Sequence, residues 1–144
     1  MYTRILVPLE NSHTDEVILA HVAALARHCG AALVLIHVAD GFAARNIAQL
    51  DLRESEEIRQ DRAYLDAAAA RLAAAGFQVE AVLASGDPAT EINSAAARER
   101  CDLIAMGTHG HRFVKDFIYG SVANEVRHKS LVPVLLVREG GGVA

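Results

Sequence analysis

Five short apolar runs dominate the chain, and most of them do not alternate between polar and apolar residues. Strands with one solvated face alternate, whereas parallel strands covered on both faces are apolar throughout. Runs such as ILVPL and AALVLIHVA therefore predict buried parallel strands. The five predicted strands are residues 3–9, 31–39, 77–84, 101–107 and 132–137.

Helical segments separate these strands and carry their own start and stop signals. Ser12 and Asp15 have capping-box spacing, and Gly30 follows the last apolar position of the first helix. Asp87 and Pro88 predict an N-cap with proline at the first helical position. The predicted helices are residues 12–29, 54–75, 88 to about 100, and 121–129. The alternation predicts one α/β domain with a doubly wound, five-stranded parallel sheet between two helix layers, and leaves residues 40–53 unassigned.

Composition excludes several classes of protein. The 144 residues are 52% apolar and 22% charged, with a net charge of −4, which excludes intrinsic disorder and disfavours nucleic acid or an anionic membrane as partner. No apolar run approaches the roughly 18 residues of a membrane span, and the N-terminus does not resemble a signal peptide. We therefore expect a soluble, cytoplasmic protein. Cys29 and Cys101 are expected to be buried, without a disulfide or a catalytic role.

A glycine-rich segment follows the predicted fourth strand, where a doubly wound sheet binds its ligands. Glycine lets backbone N–H groups approach phosphate oxygens, and a helix that starts near Ser121 would add unpaired N–H donors. The same glycines are also compatible with simple turns, and composition alone leaves both interpretations open. Neither a P-loop lysine motif nor a GxGxxG motif is present.

The glycine spacing carries a family resemblance. Gly107-x2-Gly110-x9-Gly120-Ser121 resembles the G-x2-G-x9-G-[ST] nucleotide motif of the universal stress protein family. ILVPLENS resembles the opening strand of that family, and SVANEVRHKSLVPVLLVR resembles its closing helix and strand. The similarity extends over residues 1–138 and leaves 139–144 as an expected flexible tail. It implies a Rossmann-like fold of the adenine nucleotide alpha hydrolase type, with strand order 3-2-1-4-5.

The resemblance also implies a site for ATP, or for AMP or ADP, with Mg²⁺ on the phosphates. Base and ribose would lie against Pro8, Leu9, Glu10 and Val38, and Met106 and Gly107 would form the floor. The residues implied for the phosphates are Gly110, Gly120, Ser121 and Val122. Glu10 departs from the family, which usually has aspartate there, so we expect a weakened or reoriented ribose contact.

Three functions follow from these observations. The first is an ATP-binding regulatory module in a stress response, with no catalytic residue assigned. The second is a slow ATPase or self-phosphorylating protein that uses Ser121 or a loop histidine, and the third is a nucleotide-free dimeric scaffold. His109 and His111 are too few for a zinc site, so no metal ligand is assigned, and His37 is expected at a core or pocket edge.

The predicted last strand indicates a homodimer. Pro133 lacks an N–H, which suits an edge strand, yet the rest of VPVLLV is strongly apolar. A bare apolar edge favours pairing with another chain, and a two-fold partner would cover it. Residues 132–137 are therefore the predicted dimer strand, which agrees with what the family resemblance implies.

Overall fold

Strands and helices alternate along the chain in the computed structural model, which describes residues 1–40, 51–108 and 116–138, with only the backbone at 40, 51–55 and 116–120. The elements are β1 (Arg4–Pro8), α1 (Asp15–Cys29), β2 (Ala32–Asp40), α2 (Asp51–Ala74), β3 (Val79–Gly86), α3 (Pro88–Arg98), β4 (Leu103–Thr108), α4 (Asp116–Lys129) and β5 (Val134–Arg138).

All described strand pairs are parallel, and the sheet order is β3-β2-β1-β4-β5. The predicted fold class and strand order are therefore confirmed. Pro8 at the end of β1 lies opposite Ile36 of β2. The chain reverses its direction of winding between β1 and β4, so the carboxyl ends of these strands border the crevice where such sheets bind ligands.

Two apolar clusters cover the two faces of the sheet, which explains why the strands do not alternate. One cluster joins the sheet to α1 and α2 and includes Ile5, Val7, Ile18 and Leu65. The other joins the sheet to α3 and α4 and includes Leu6, Ile92, Ile104 and Val126. Successive β1 residues point to opposite faces, so each face receives every second side chain.

The predicted start of α3 is confirmed, whereas only one of the two hydrogen bonds of the predicted capping box is present before α1. The Asp87 carboxylate accepts a hydrogen bond from Thr90 N–H at 3.1 Å, and Pro88 is the first helical residue. Before α1, the Asp15 carboxylate accepts the Ser12 N–H at 3.1 Å. The Ser12 hydroxyl does not accept the Asp15 N–H, as a full capping box would require. It pairs with the Thr14 hydroxyl at 2.6 Å instead.

An aspartate also joins the starts of the two central strands. Asp102 accepts hydrogen bonds from the N–H groups of Thr3 and Arg4, at 2.9 and 3.0 Å. Burial raises the pKa of Asp102, but these bonds outweigh burial and bring the pKa below its ordinary value.

Several predicted boundaries are wrong. Helix α4 begins at Asp116 rather than near Ser121. An acidic residue favours a helix start, and an internal glycine such as Gly120 costs only about 1 kcal/mol, so glycine does not have to end or begin a helix. Strand β5 begins after Pro133, whose missing N–H shortens the predicted strand 132–137.

The cysteines are free, as predicted, but only Cys101 is buried. Cys29, the last residue of α1, is half-buried. Within the described residues, no helix is both long enough and apolar enough to cross a membrane. Of the unassigned residues 40–53, Asp40 ends β2 and 51–53 begin α2. Residues 41–50 and the predicted tail 139–144 lie outside the described part of the chain.

Candidate functional site

A cavity of about 300 Å³ opens beside the carboxyl ends of β1 and β2. Helices α3 and α4 close it from one face of the sheet through Pro88, Ile92 and Val122. The strand side consists of Pro8, Leu9, Glu10, Ile36, His37 and Val38. Most of these side chains are apolar, with one carboxylate and one imidazole, and such a lining suits a flat organic ring with a few polar groups.

Five of the predicted site residues meet at this cavity: Pro8, Leu9, Glu10, Val38 and Val122. They come from β1, β2 and α4 and from the loop that follows β1. Positions 8 and 122 are more than one hundred residues apart, so this convergence depends on the fold and not on local sequence.

Three other predicted residues, Met106, Gly107 and Ser121, are not among the described residues that line the cavity. Met106 is fully buried in the apolar cluster beneath α3 and α4. Gly107 faces α1, because a Cβ built on it would lie 3.5 Å from the Cβ of Ile18. Gly110 lies outside the described residues. Gly120 and the exposed Ser121 are in the second turn of α4, where backbone N–H groups ordinarily bond to carbonyls one turn earlier.

His37 is at the cavity edge and hydrogen-bonded, as predicted. Its Nδ1 lies 2.9 Å from the carbonyl oxygen of Leu9, a geometry in which Nδ1–H donates. Its Nε2 lies 3.6 Å from a carboxylate oxygen of Asp61 on α2. The imidazole therefore joins the cavity wall to a helix on the other face of the sheet.

Helix α2 also holds the loop that connects β1 to α1. The Tyr64 hydroxyl donates to the Ser12 carbonyl at 2.6 Å, and the Asn11 amide donates to the Asp61 carbonyl at 3.0 Å. Burial raises the pKa of Tyr64, and the charge of Asp15 adds to the effect. The sequence reasoning missed these contacts. Asp61 and Tyr64 are three residues apart beside the buried Leu65, a spacing that could have indicated an inward-facing polar pair.

The Glu10 carboxylate is held in place at the mouth of the cavity. Its Oε2 accepts a hydrogen bond from the Thr14 hydroxyl at 2.8 Å, and that hydroxyl also contacts the Ser12 hydroxyl at 2.6 Å. The Glu10 N–H donates to Asp15 at 2.9 Å. Burial raises the pKa of Asp15, although the N–H groups that it accepts act in the opposite direction. Glu10 thus presents a positioned acceptor beside an apolar cavity.

No cluster of three or more metal-ligating side chains occurs in the described ranges, and His109 and His111 lie outside them. Among the described residues that line the cavity, Glu10 is the one carboxylate that could contact a divalent cation, and the phosphates of a bound nucleotide would supply further oxygen ligands.

Comparison with known proteins identifies relatives of this chain. A family model described as the universal stress protein family matches residues 1–138. The universal stress protein MJ0577 of Methanocaldococcus jannaschii is 32% identical over an alignment that covers 96% of each chain. A structure of MJ0577 superposes with a TM-score of 0.85 at 30% identity and covers 99% of each chain.

Two more distant structures share the fold. A universal stress protein from Archaeoglobus fulgidus in complex with dAMP has a TM-score of 0.71 at 24% identity and covers 94% of this chain and 98% of its own. A universal stress protein in complex with cAMP has a TM-score of 0.69 at 22% identity and covers 95% and 97%.

Proposed function

Because the chain belongs to the universal stress protein family, we propose that it is an ATP-binding regulatory module that acts in the cytoplasm during a stress response. The observation that carries this proposal is the cavity where Pro8, Leu9, Glu10, Val38 and Val122 converge. Complexes of the same fold with dAMP and cAMP are consistent with an adenine nucleotide as the ligand.

Each part of the nucleotide has a place in this proposal. The adenine ring lies between the strand side, at Val38, and the α3 side, at Ile92, where both walls are apolar. The ribose hydroxyls donate to the Glu10 carboxylate at the cavity mouth. The phosphates extend towards the exposed hydroxyl of Ser121 and the glycine segment that contains Gly110. Mg²⁺ is held mainly by the phosphates, since few of the described residues that line the cavity could ligate it.

The first experiment identifies the bound molecule. The protein is purified without added nucleotide and denatured, and the released compound is identified by mass spectrometry. ATP with Mg²⁺ is then titrated into the emptied protein by calorimetry. Near-stoichiometric ATP or micromolar binding supports the proposal, and ADP that forms over hours adds slow hydrolysis to it. If AMP or ADP is the tightly bound compound, it replaces ATP as the proposed ligand. If no nucleotide binds, the proposed site is refuted.

A cavity-filling variant tests the location of the base. Val38→Phe places an aromatic ring into the existing space, so we expect at least tenfold weaker ATP binding without loss of stability. Val17→Phe is the matched control, because Val17 is exposed on α1 and lines no described cavity. Equal ATP affinities of the two variants would refute the assignment of the base.

The glycine segment is tested separately. Gly110→Val adds a side chain where the proposal requires close backbone approach to phosphate, so ATP binding should be lost. A nucleotide-free scaffold would show no change. The oligomeric state of the variant is measured in the same samples, because a phosphate defect should leave it unaltered.

We also propose a homodimer that pairs through residues 132–137. In the described sheet β5 has only β4 as a neighbour, and the Leu136 side chain is 40% exposed. An uncovered apolar edge favours strand pairing. Sedimentation should show a dimer for the unchanged chain and a monomer for Leu136→Asp. A monomeric unchanged chain would refute this part of the proposal.

A further inference from the structure

A second cavity, of about 390 Å³, lies near the amino-terminal ends of β4 and β5, at the opposite end of the sheet from the first. It lies between the last turns of α3 and α4. Its walls include Ala96, Ala97, Cys101 and Val132, and its polar side chains include Asn93, Arg100 and Lys129. Helix α3 borders both cavities, since Ile92 lines the first and Asn93 the second.

Asn93 is the first of two residues at this cavity that are unfavourable for the fold alone. Its Nδ2 and Oδ1 are both buried, and neither has a hydrogen-bond partner in the part of the chain that the structure describes. A buried amide without partners destabilises a fold, so an apolar side chain of similar size would suit the protein alone better. Solvent reaches neither atom, so the Asn93 side chain must turn towards the cavity before a ligand can contact it. An amide group of the ligand would then satisfy both atoms, because it offers one acceptor and one donor.

Arg100 is the second residue whose presence is unfavourable for the fold alone. It has a φ of 56°, in the left-handed region that favours glycine. Its N–H bonds to the Ala97 carbonyl at 3.2 Å, and the next N–H, of Cys101, bonds to the Ala96 carbonyl at 2.9 Å. This is the Schellman pattern, in which glycine is the usual residue at the position of Arg100.

The unfavourable amide and the strained arginine line the same cavity, together with Lys129. Residues that break local rules without a structural gain indicate function. The two cations favour an anion, and the mostly apolar wall favours an aliphatic body over a strongly hydrated phosphate. Burial raises the pKa of Cys101 to about 11, so its thiol is neutral and does not repel an anion.

We propose that this cavity binds an N-acylated aliphatic amino acid, either free or as the carboxyl terminus of a peptide chain. The ligand amide pairs with Asn93, the carboxylate meets Arg100 and Lys129, and the aliphatic side chain packs on Ala96 and Val132. This site is spatially separate from the proposed nucleotide site, and the ligand binds there without a nucleotide.

The test uses N-acetyl-L-leucine as the probe and nucleotide-free protein labelled with ¹⁵N. We expect saturable amide shifts around the second cavity with a Kd near about 1 mM, as a ligand of this size permits. N-acetyl-L-leucinamide, which lacks the carboxylate, should bind at least tenfold more weakly. An acetylated tetrapeptide with a terminal leucine that binds more tightly than the free compound would identify a chain terminus as the ligand. Equal affinity would favour the small molecule. Absence of shifts, or equal binding of the leucinamide, would overturn the proposal.

Two variants separate binding from folding. Arg100→Gly should raise the midpoint of thermal unfolding by about 3 °C, yet weaken binding of N-acetyl-L-leucine about tenfold or more. Asn93→Leu should be at least as stable as the unchanged chain and should no longer bind N-acetyl-L-leucine. Arg98→Gln is the control, because Arg98 is exposed and does not line the cavity. Unchanged affinity in Arg100→Gly and Asn93→Leu, or a lower unfolding midpoint in both, would refute the proposal.

Discussion

Shortening Glu10 to aspartate tests how the cavity mouth recognises a ribose. In the structure the Glu10 carboxylate accepts a hydrogen bond from the Thr14 hydroxyl at 2.8 Å. Glu10→Asp withdraws the carboxylate by one methylene and breaks this bond. A hydrogen bond to a charged group contributes about 1.5–3 kcal/mol, and partial exposure of Glu10 reduces this contribution to about 1 kcal/mol. We expect the free energy of unfolding to fall by that amount.

The same change should strengthen nucleotide binding. The aspartate carboxylate no longer accepts the Thr14 hydrogen bond, so the ribose hydroxyls need not compete with Thr14 for it. About 1 kcal/mol corresponds to a roughly fivefold lower Kd for ATP. The gain should be absent for 2′,3′-dideoxy-ATP, which lacks both hydroxyls.

Calorimetry with both nucleotides and urea unfolding without nucleotide measure these two effects. Thr14→Val is the matched control, because it removes the same hydrogen bond and keeps the length of Glu10. Because it also removes the contact with the Ser12 hydroxyl, it should lose at least as much stability as Glu10→Asp. An equal gain for dideoxy-ATP would refute the ribose contact, and unchanged stability of both variants would refute the Thr14 bond.

Three further predictions concern residues around the two ends of the sheet. Asp102→Asn should lower the free energy of unfolding by about 2 kcal/mol at pH 7. Because the folded-state pKa is lowered, this difference should shrink as the pH falls below 3.8, and urea unfolding at pH 7 and about pH 2.5 would show it. A difference that does not depend on pH would contradict this reasoning. Tyr64→Phe removes the 2.6 Å bond to Ser12 and should cost about 1 kcal/mol in urea unfolding. Because the folded-state pKa is raised, the stabilising effect of the Tyr64 hydroxyl should decrease above pH 10, and its persistence there would count against the assigned bond. Gly107→Ala should leave the stability within about 0.5 kcal/mol, because its Cβ makes an ordinary contact with Ile18, and should leave ATP affinity unchanged in calorimetry. A tenfold loss of affinity would return Gly107 to the nucleotide site.

The sequence predicts those parts of the fold that depend on local chemistry or on burial of both sheet faces. The apolar strands and the Asp87–Pro88 start of α3 are of this kind, and both are confirmed. The start of α4 is not, because glycine and serine suit a helix start in a peptide but do not require one in a folded protein.

The contacts behind the cavity could not be predicted from local patterns. Asp61 and Tyr64 act through side chains that reach across the chain to His37 and to the loop after β1. Such pairings require the positions of α2 and β1 in three dimensions. Hydrophobic periodicity identifies which face of a helix is buried, but not which polar group on that face contacts which loop.

Helix α3 lines both cavities, and this arrangement can couple ligand binding at one cavity to ligand binding at the other. The helix has 11 residues and is about 16 Å long, and neighbouring residues, Ile92 and Asn93, face different cavities. Any ligand that displaces this helix along its axis changes both binding equilibria at once. Linkage requires the two effects to be reciprocal, so a nucleotide that alters the affinity for a carboxylate ligand must have its own affinity altered by the same factor. Two titrations, each carried out with the other ligand saturating, measure this coupling free energy twice.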